Sequence, residues 1–382
     1  MHNPGNTPFD EISLPSPSNL EEDGEAQAEP VPAESSAREP NLTREQLSIR
    51  KRLLNWRTLV PLVIVLGFLI YTAQKLQINP AQTWVAIRNA NAGFLLAAFF
   101  IYYCSFLIRT LRWRMLLENV GYKKEKGVRL PSFRKLLEIL YISWFANAIV
   151  PAKLGDVYRA YLLRQEQADI SATRTFGTVL AERLLDLIVL LLLFISAIIV
   201  SLHAYLPPYL RAGLYVTLAI VIVGIGALLF LRAFPERIRR FIPQRFQDHY
   251  EHLQEGTLGS FRRIPTLTFL TVLVWMCEAG RFFFIIQALN LFPGTLPSMA
   301  ASAIFIALGE ALLTIVPFTS GGIGLVEGGM LAMLALFTSA RNLAAAAVLL
   351  DRTISLFSIL VFGLIVFLVA AGRRAARKPS ET

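Results

Sequence analysis

Long apolar segments constrain this chain more than any other feature of its sequence. A helix that crosses a bilayer needs roughly 20 mostly apolar residues, and six segments fit: 57–74, 92–113, 176–202, 209–231, 266–289 and 343–371. Only 17% of the 382 residues are charged, whereas 54% are hydrophobic, a composition that provides too little polar surface for a soluble domain. The sequence therefore predicts an all-α polytopic membrane protein with about six full transmembrane helices.

Two further apolar regions, 133–163 and 299–338, are interrupted by a proline that glycine follows within a few residues. Proline removes a helical donor, and glycine accepts positive φ or a close backbone approach. Unwound backbone at membrane depth must lie against protein or water. We therefore expect two re-entrant helical hairpins, with these residues at their breaks: Pro151, Gly155, Pro317, Gly321, Gly322 and Gly324.

The two interrupted regions resemble each other. IVPAKLGDVYRAYLL begins at residue 149 and IVPFTSGGIGLVEGGML at residue 315, and each is followed about 30 residues later by an acid–arginine pair, Glu182-Arg183 or Asp351-Arg352. The offset is 166–169 residues. Three full spans separate the copies, so they would face opposite ways, as in the inverted repeats of alternating-access carriers. A chance likeness between apolar segments is the alternative.

The distribution of basic residues predicts the orientation. Lys and Arg concentrate in loops that fall on one side if six spans and two returning hairpins are assumed, whereas the opposite loops, 75–91, 203–208 and 290–298, hold only Lys75, Arg88 and His203. Because basic loops stay in the cytoplasm, we expect a multi-pass protein of the cell membrane with both termini cytoplasmic.

The chain divides into three predicted parts. Residues 1–47 hold ten acidic and two basic residues, a composition typical of a disordered tail. Residues 48–372 form the transmembrane domain, which includes a predicted cytoplasmic interfacial helix at 235–264; a solvated linker is the alternative there. Residues 373–382 form a basic C-terminal tail.

Ionisable residues occur within the apolar regions, where they are costly unless paired or hydrated. One interpretation is a polar cavity for an anionic head group, in which lysine and arginine bind phosphate; the other is a set of internal ion pairs that lock helices together. The candidate binding residues are Lys153, Asp156, Arg159, Glu182, Arg183, Glu278, Arg281, Glu310, Glu327, Asp351 and Arg352.

Motifs of catalysis and cofactor binding are absent from the sequence. It contains no GxxxxGK[ST] loop and no Ser-His-Asp set. The net positive charge of the chain outside the acidic tail is explained by an excess of Lys and Arg in cytoplasmic loops, so no nucleic-acid partner is expected. We expect neither an enzyme nor a metal or organic cofactor.

Five motifs resemble a known family in their order along the chain. They are RTLRWRMLL at 109–117, P-x-K-x-G-D-x-x-R at 151–159, AERLLDL at 181–187, GGIGLVE at 321–327 and LLDRTIS at 349–355. Together they are similar to the transmembrane region of lysylphosphatidylglycerol synthases, the flippase-like domain family, over most of residues 53–371. Members of that family often have Arg at the position of Lys153, Glu at that of Asp156, and Pro-Gly-Gly near residues 319–322.

The resemblance implies movement of an anionic or modified phospholipid, or of a polyprenyl-phosphate-linked lipid, between leaflets. The soluble aminoacyl-transferring domain of the synthases has no counterpart here, so lipid synthesis is not expected. The alternative is a non-catalytic membrane subunit that binds lipid and serves a separate glycosyl- or aminoacyl-transferase. An intramembrane enzyme is a third possibility, for which the sequence supplies no nucleophile–base set.

Overall fold

The computed structural model describes residues 77–122, 128–150, 153–202, 208–234, 242–315 and 320–377, together with Gln74. These residues fold into helices, with no strand among them. The helices are α1 Pro80–Arg88, α2 Ala92–Asn119, α3 Phe133–Ile149, α4 Leu154–Glu166, α5 Ala172–Leu202, α6 Pro208–Ala233, α7 Gln244–Gly259, α8 Ile264–Leu289, α9 Leu296–Ile315, α10 Leu325–Leu334, α11 Arg341–Arg352 and α12 Ser358–Arg377.

Among the described residues, four stretches of helix are long and apolar enough to cross a membrane: Ala92–Asn119, Ile264–Leu289, Leu296–Thr314 and Arg341–Arg373. The first, second and fourth contain the predicted spans 92–113, 266–289 and 343–371, while the third falls in the region predicted as the second hairpin. The predicted spans 176–202 and 209–231 lie within α5 and α6. The predicted span 57–74 and the acidic tail lie outside the described residues.

The central element of the fold is an antiparallel pair of helices, α2 and α8. Asn91 at the start of α2 donates its backbone N–H to the carbonyl of Ala288, 2.9 Å away, and caps its own helix with its side chain. At the other end of α2, the Asn119 side chain donates to the carbonyl of Ser260 at 3.0 Å. The pair contributes buried aromatic residues such as Tyr102, Phe106 and Phe282 to the core.

Helices α3 and α4 form an antiparallel hairpin, which we call hairpin A. Ser143 Oγ donates to the carbonyl of Gly155 at 2.8 Å, and a Cβ on Gly155 would lie 2.1 Å from the carbonyl oxygen of Ser143. Gly155 was predicted as a break residue, but it lies in the first turn of α4, where close contact with α3 excludes a side chain. The left-handed residue is Lys153, with φ 53° and ψ 36°; Pro151 lies outside the described residues.

Helices α9 and α10 form a second antiparallel hairpin, hairpin B. Gly309 packs against Met333, and Gly329 packs against Leu313. The predicted break glycines Gly321, Gly322 and Gly324 have positive φ values of 63°, 73° and 94°, which glycine adopts without a steric penalty. Pro317 lies outside the described residues.

The two hairpins meet at their broken ends. A Cβ on Gly321 of hairpin B would lie 3.6 Å from the carbonyl oxygen of Ala148 in hairpin A and 2.8 Å from the side chain of Leu356. Leu356 belongs to a π-helical segment, Thr353–Phe357, that interrupts the predicted last span directly after Arg352. Such segments are frequent at functional sites.

Helix α7 falls within the predicted interfacial helix 235–264, of which residues 235–241 lie outside the described part of the chain. It packs closely on the start of α5, where a Cβ on Gly256 would lie 2.1 Å from the carbonyl oxygen of Arg174 and a Cβ on Gly177 2.5 Å from that of Leu253. One face of α7 is therefore covered by protein, and its position on a leaflet stays a prediction. Helix α12 includes residues 373–377, which were assigned to the C-terminal tail.

Candidate functional site: a charged cavity between two helical hairpins

A cavity of about 370 Å³ lies where the two hairpins meet. Hairpin A contributes Asn147, Lys153 and Asp156 to its wall, and hairpin B contributes Glu310 and the backbone at Gly321 and Gly322. Trp144 of hairpin A also lines the cavity. The remaining wall comes from α2, α5, α8 and the last helices, with these charged and aromatic residues: Tyr102, Arg109, Arg183, Asp186, Trp275, Glu278, Arg281 and Arg352. The cavity thus combines apolar and aromatic surface with several ionisable groups.

Six charged residues around hairpin A form what we call the first ion cluster: Arg112, Arg159, Arg183, Asp156, Glu182 and Asp186. Glu182 accepts hydrogen bonds from Arg112 and Arg159, both at 2.8 Å. Arg112 is fully buried and also donates to Asp186 and to Thr271 on α8. Helices α2, α4, α5 and α8 are therefore joined by charged hydrogen bonds.

Asp156 and Arg183 form a two-pronged pair within the first ion cluster. Arg183 donates through Nε and one terminal nitrogen to the two carboxylate oxygens of Asp156, at 2.8 Å each. Asn147 donates to the same carboxylate at 3.1 Å. Paired planar contacts of this kind are strong and geometrically specific, so hairpin A is fixed to α5 beside the cavity.

Seven charged residues on the other side form the second ion cluster: Arg109, Arg281, Arg352, Glu278, Glu310, Glu327 and Asp351. Arg281 is its centre, because it contacts Glu278 at 3.4 Å and Glu310 at 2.9 Å and donates to Asp351. Arg109 contacts Glu278 at 2.7 Å and lies 4.6 Å above the ring of Trp144.

Arg352 contacts two parts of the break of hairpin B, the carboxylate of Glu327 and the backbone of Gly321. Its Nε contacts Glu327 at 2.7 Å, and one terminal nitrogen donates to the carbonyl of Gly321 at 2.5 Å. The other oxygen of Glu327 accepts the backbone N–H of Gly324 at 2.5 Å. Glu327 therefore caps the start of α10 while it pairs with Arg352.

The two ion clusters repeat the same pairings. Arg281 follows Arg112 by 169 positions, the separation that also relates Asp351 to Glu182 and Arg352 to Arg183. Arg112 pairs with Glu182 and Arg281 with Asp351. Likewise the hairpin carboxylates pair with the second member of each acid–arginine dipeptide, Asp156 with Arg183 and Glu327 with Arg352.

The predicted binding residues divide into two groups in the structure. Those that line the cavity are Lys153, Asp156, Arg183, Glu278, Arg281, Glu310 and Arg352. Behind the wall, paired with other ionisable groups, lie Arg159, Glu182, Glu327 and Asp351. These four residues make the contacts expected from the interpretation as internal ion pairs.

Sequence reasoning missed two arginines of the site. Arg109 and Arg112 lie at the end of the predicted span 92–113 and are not among the candidate binding residues, yet they are 3% and 0% exposed and belong to the ion clusters. Their spacing of three within an apolar helix was the available signal, because it places both on one helix face. Among the described residues, no group of three or more His, Cys, Asp and Glu is arranged to hold a metal ion.

The apolar spans and the buried charged cavity define a polytopic membrane protein. Residues 58–363 match the family described as the lysylphosphatidylglycerol synthase transmembrane region, so the chain belongs to this family. The resemblance inferred from the five motifs is confirmed.

Archaeal membrane proteins are among the similar chains. A UPF0104 membrane protein of Methanocaldococcus jannaschii is 33% identical over 244 residues, which cover 62% of this chain and 98% of that protein. A UPF0104 membrane protein of Methanothermobacter thermautotrophicus is 24% identical over 79% of this chain and 93% of its own length. Glycosyltransferase AglD of Haloferax volcanii is 24% identical over 79% of this chain but only 53% of AglD.

Proposed function

We propose that this protein is a lipid translocase that moves an anionic or modified phospholipid, or a polyprenyl-phosphate-linked lipid, between leaflets of the cell membrane. The observation that carries the proposal is the meeting of both broken hairpins around one cavity lined by ionisable groups. A head group needs a polar path across a layer in which an isolated charge is costly. The cavity offers such a path while the acyl or prenyl tails stay in the bilayer.

The short arms of the hairpins support a re-entrant arrangement. Helices α4 and α10 have 13 and 10 residues, which correspond to about 20 Å and about 15 Å of helix. A bilayer core is about 30 Å thick, so neither arm reaches across it. The proposed topology has six full spans, two hairpins that return to their side of entry, and cytoplasmic termini.

The repeated ion pairs support an inverted repeat. Arg112–Glu182 and Arg281–Asp351 occupy equivalent positions, as do Asp156–Arg183 and Glu327–Arg352. Chance likeness between apolar sequences would not reproduce the pairing of charged side chains across separate helices. Repeats of this kind let carriers expose one central site to each side in turn.

Transport rather than chemistry is proposed for this chain, with a separate lipid-modifying enzyme as its partner. The test is reconstitution of the purified protein into vesicles whose lipids are labelled in one leaflet, with phosphatidylglycerol and a glycosyl phosphopolyprenol in separate samples. We expect at least one lipid to lose its asymmetry about tenfold faster than in protein-free vesicles. Equal rates with and without protein for every lipid would contradict the proposal.

A second candidate is a non-catalytic membrane subunit that binds lipid and serves a glycosyl- or aminoacyl-transferase. The match to Glycosyltransferase AglD favours it, because that protein carries a similar region within a longer chain. Under this alternative Arg159→Gln and Glu327→Gln would leave a partner enzyme's product formation unchanged. Under the translocase proposal both substitutions slow lipid movement in vesicles without any partner.

A further inference from the structure

We infer that the cavity holds a phosphodiester group with a single negative charge and that Lys153 is the residue that binds it. This inference rests on the proposed function, because it specifies the head group that a lipid would bring into the cavity. It concerns Lys153, the one described residue of hairpin A that is both left-handed in backbone conformation and part of the cavity wall.

The arginines near the cavity are already engaged. Three arginines face three carboxylates in the first ion cluster, and three arginines face four carboxylates in the second. An arginine that left its carboxylate to bind a ligand would expose a buried charge without a partner, which is costly. The paired arginines therefore maintain the structure of the wall rather than capture the head group.

Lys153 differs from these arginines. In the part of the chain that the structure describes, no carboxylate oxygen lies within 4.0 Å of its ammonium group, although the side chain lines the cavity. Lysine carries three donors on a flexible side chain, so its ammonium group can reposition to donate hydrogen bonds to a bound phosphate oxygen. Lys153 is therefore the cation of the cavity wall whose charge is available to a ligand.

The starts of α4 and α10 differ in how their backbone N–H groups are capped. At the start of α10 the carboxylate of Glu327 accepts the N–H of Gly324. At the start of α4 the N-cap position is Lys153, and no side chain caps the helix, because the carboxylate of Asp156 in the first turn accepts from Arg183 and Asn147 instead. The positive end of a helix favours an anion, so the phosphate is expected beside hairpin A, where the lysine and the helix start lie together.

The charge count predicts a phosphodiester rather than a monoester or a diphosphate. Beside hairpin A the three arginines and three carboxylates of the first ion cluster balance, so Lys153 adds one positive charge to that side of the cavity. A phosphodiester has one charge, which Lys153 can compensate directly. A second charge on the ligand would face the excess carboxylate of the second ion cluster, where the described residues offer no further unpaired cation, and burial makes such a charge expensive.

The first arm of the test compares head groups on equal tails. Phosphatidylglycerol, a diester, and phosphatidic acid, a monoester, are added separately to the detergent-purified protein at pH 8, and binding is measured by native mass spectrometry. The same comparison is made between a glycosyl phosphopolyprenol and the polyprenyl monophosphate. We expect each diester to bind about tenfold more tightly than its monoester, and the two pairs show whether the diester comes from a phospholipid or a polyprenol. Equal or stronger binding of both monoesters would overturn the inference.

The second arm of the test changes the lysine. We expect Lys153→Gln to weaken diester binding and to slow lipid movement by about tenfold or more, and Lys153→Arg to restore most of both. Lys135→Gln is the matched control, since Lys135 lies on the same hairpin but pairs with Glu138 and Glu166, away from the cavity.

The outcomes separate the inference from the proposed function. Wild-type protein that binds the diester through Lys153 but moves no lipid would sustain the inference and contradict translocation. Lipid movement at the wild-type rate in Lys153→Gln, with unchanged binding, would overturn the inference alone.

Discussion

Replacement of Arg281 with glutamine is expected to leave little folded protein. Arg281 is 2% exposed and contacts Glu278, Glu310 and Asp351, which belong to three different helices. Its loss leaves these carboxylates buried with too little positive charge. Removal of one partner from a buried ion pair costs about 3–5 kcal/mol, a large share of the stability of an ordinary domain.

The measurement is the apparent melting temperature and the monodisperse fraction of detergent-purified Arg281→Gln. The matched control is Arg114→Gln, because Arg114 pairs with Glu118 at 3.1 Å but its side chain is 45% exposed. An exposed pair contributes about 0–1 kcal/mol, so the control should melt close to the wild type. If Arg281→Gln also melted within about 2 °C of the wild type, an effect of about 1 kcal/mol or less, the ion cluster would not be holding the helices together.

Asp156→Asn and Glu327→Gln are each expected to slow lipid movement about tenfold to a hundredfold. Each substitution removes the carboxylate that fixes a hairpin to an arginine of the following helix, Arg183 or Arg352. Hydrogen bonds to charged groups are worth about 1.5–3 kcal/mol, which corresponds to that range of rates. If the two halves are equivalent, the two variants should lose activity to a similar degree.

The assay is lipid movement in reconstituted vesicles, with Glu166→Gln as the control. Glu166 lies on hairpin A and pairs with Lys135, outside the cavity wall. Both test variants must elute as the wild type does in gel filtration, so that loss of activity is not loss of fold. A normal rate in either variant would show that its hairpin pair takes no part in transport.

The sequence predicted the elements whose signals are local. Apolar length identified the spans later found in α2 and α8, and the glycines after the second proline identified the positive φ values at Gly321, Gly322 and Gly324. Charge within apolar segments identified most of the charged residues that line the cavity. These features depend on a few neighbouring residues, and the physics of the bilayer makes them conspicuous.

The features that escaped prediction depend on contacts between distant residues. In the sequence Arg112 lies at the end of a predicted span, where a residue at the membrane surface is expected. Its burial depends on partners from two other helices, Asp186 of α5 and Thr271 of α8. The docking of α7 on α5 depends on two glycines, Gly177 and Gly256, that no local pattern connects. The π segment after Arg352 likewise occurs where Gly321 of hairpin B packs against Leu356.

The central claim is that hairpins A and B enter the membrane from opposite faces and meet at the cavity. It is tested most directly with single cysteines in a chain whose own Cys104 and Cys277 are replaced by serine. Arg129→Cys and Asp169→Cys mark the two ends of hairpin A, and Pro293→Cys and Ser339→Cys mark those of hairpin B; all four positions are exposed. Each variant is treated with a membrane-impermeant maleimide in right-side-out and in inverted vesicles.

The account predicts that cysteines at 129 and 169 react only from the cytoplasmic face, and that cysteines at 293 and 339 react only from the opposite face. Labelling of 129 and 169 from different faces would show that hairpin A crosses the membrane. Labelling of all four positions from one face would contradict the inverted repeat.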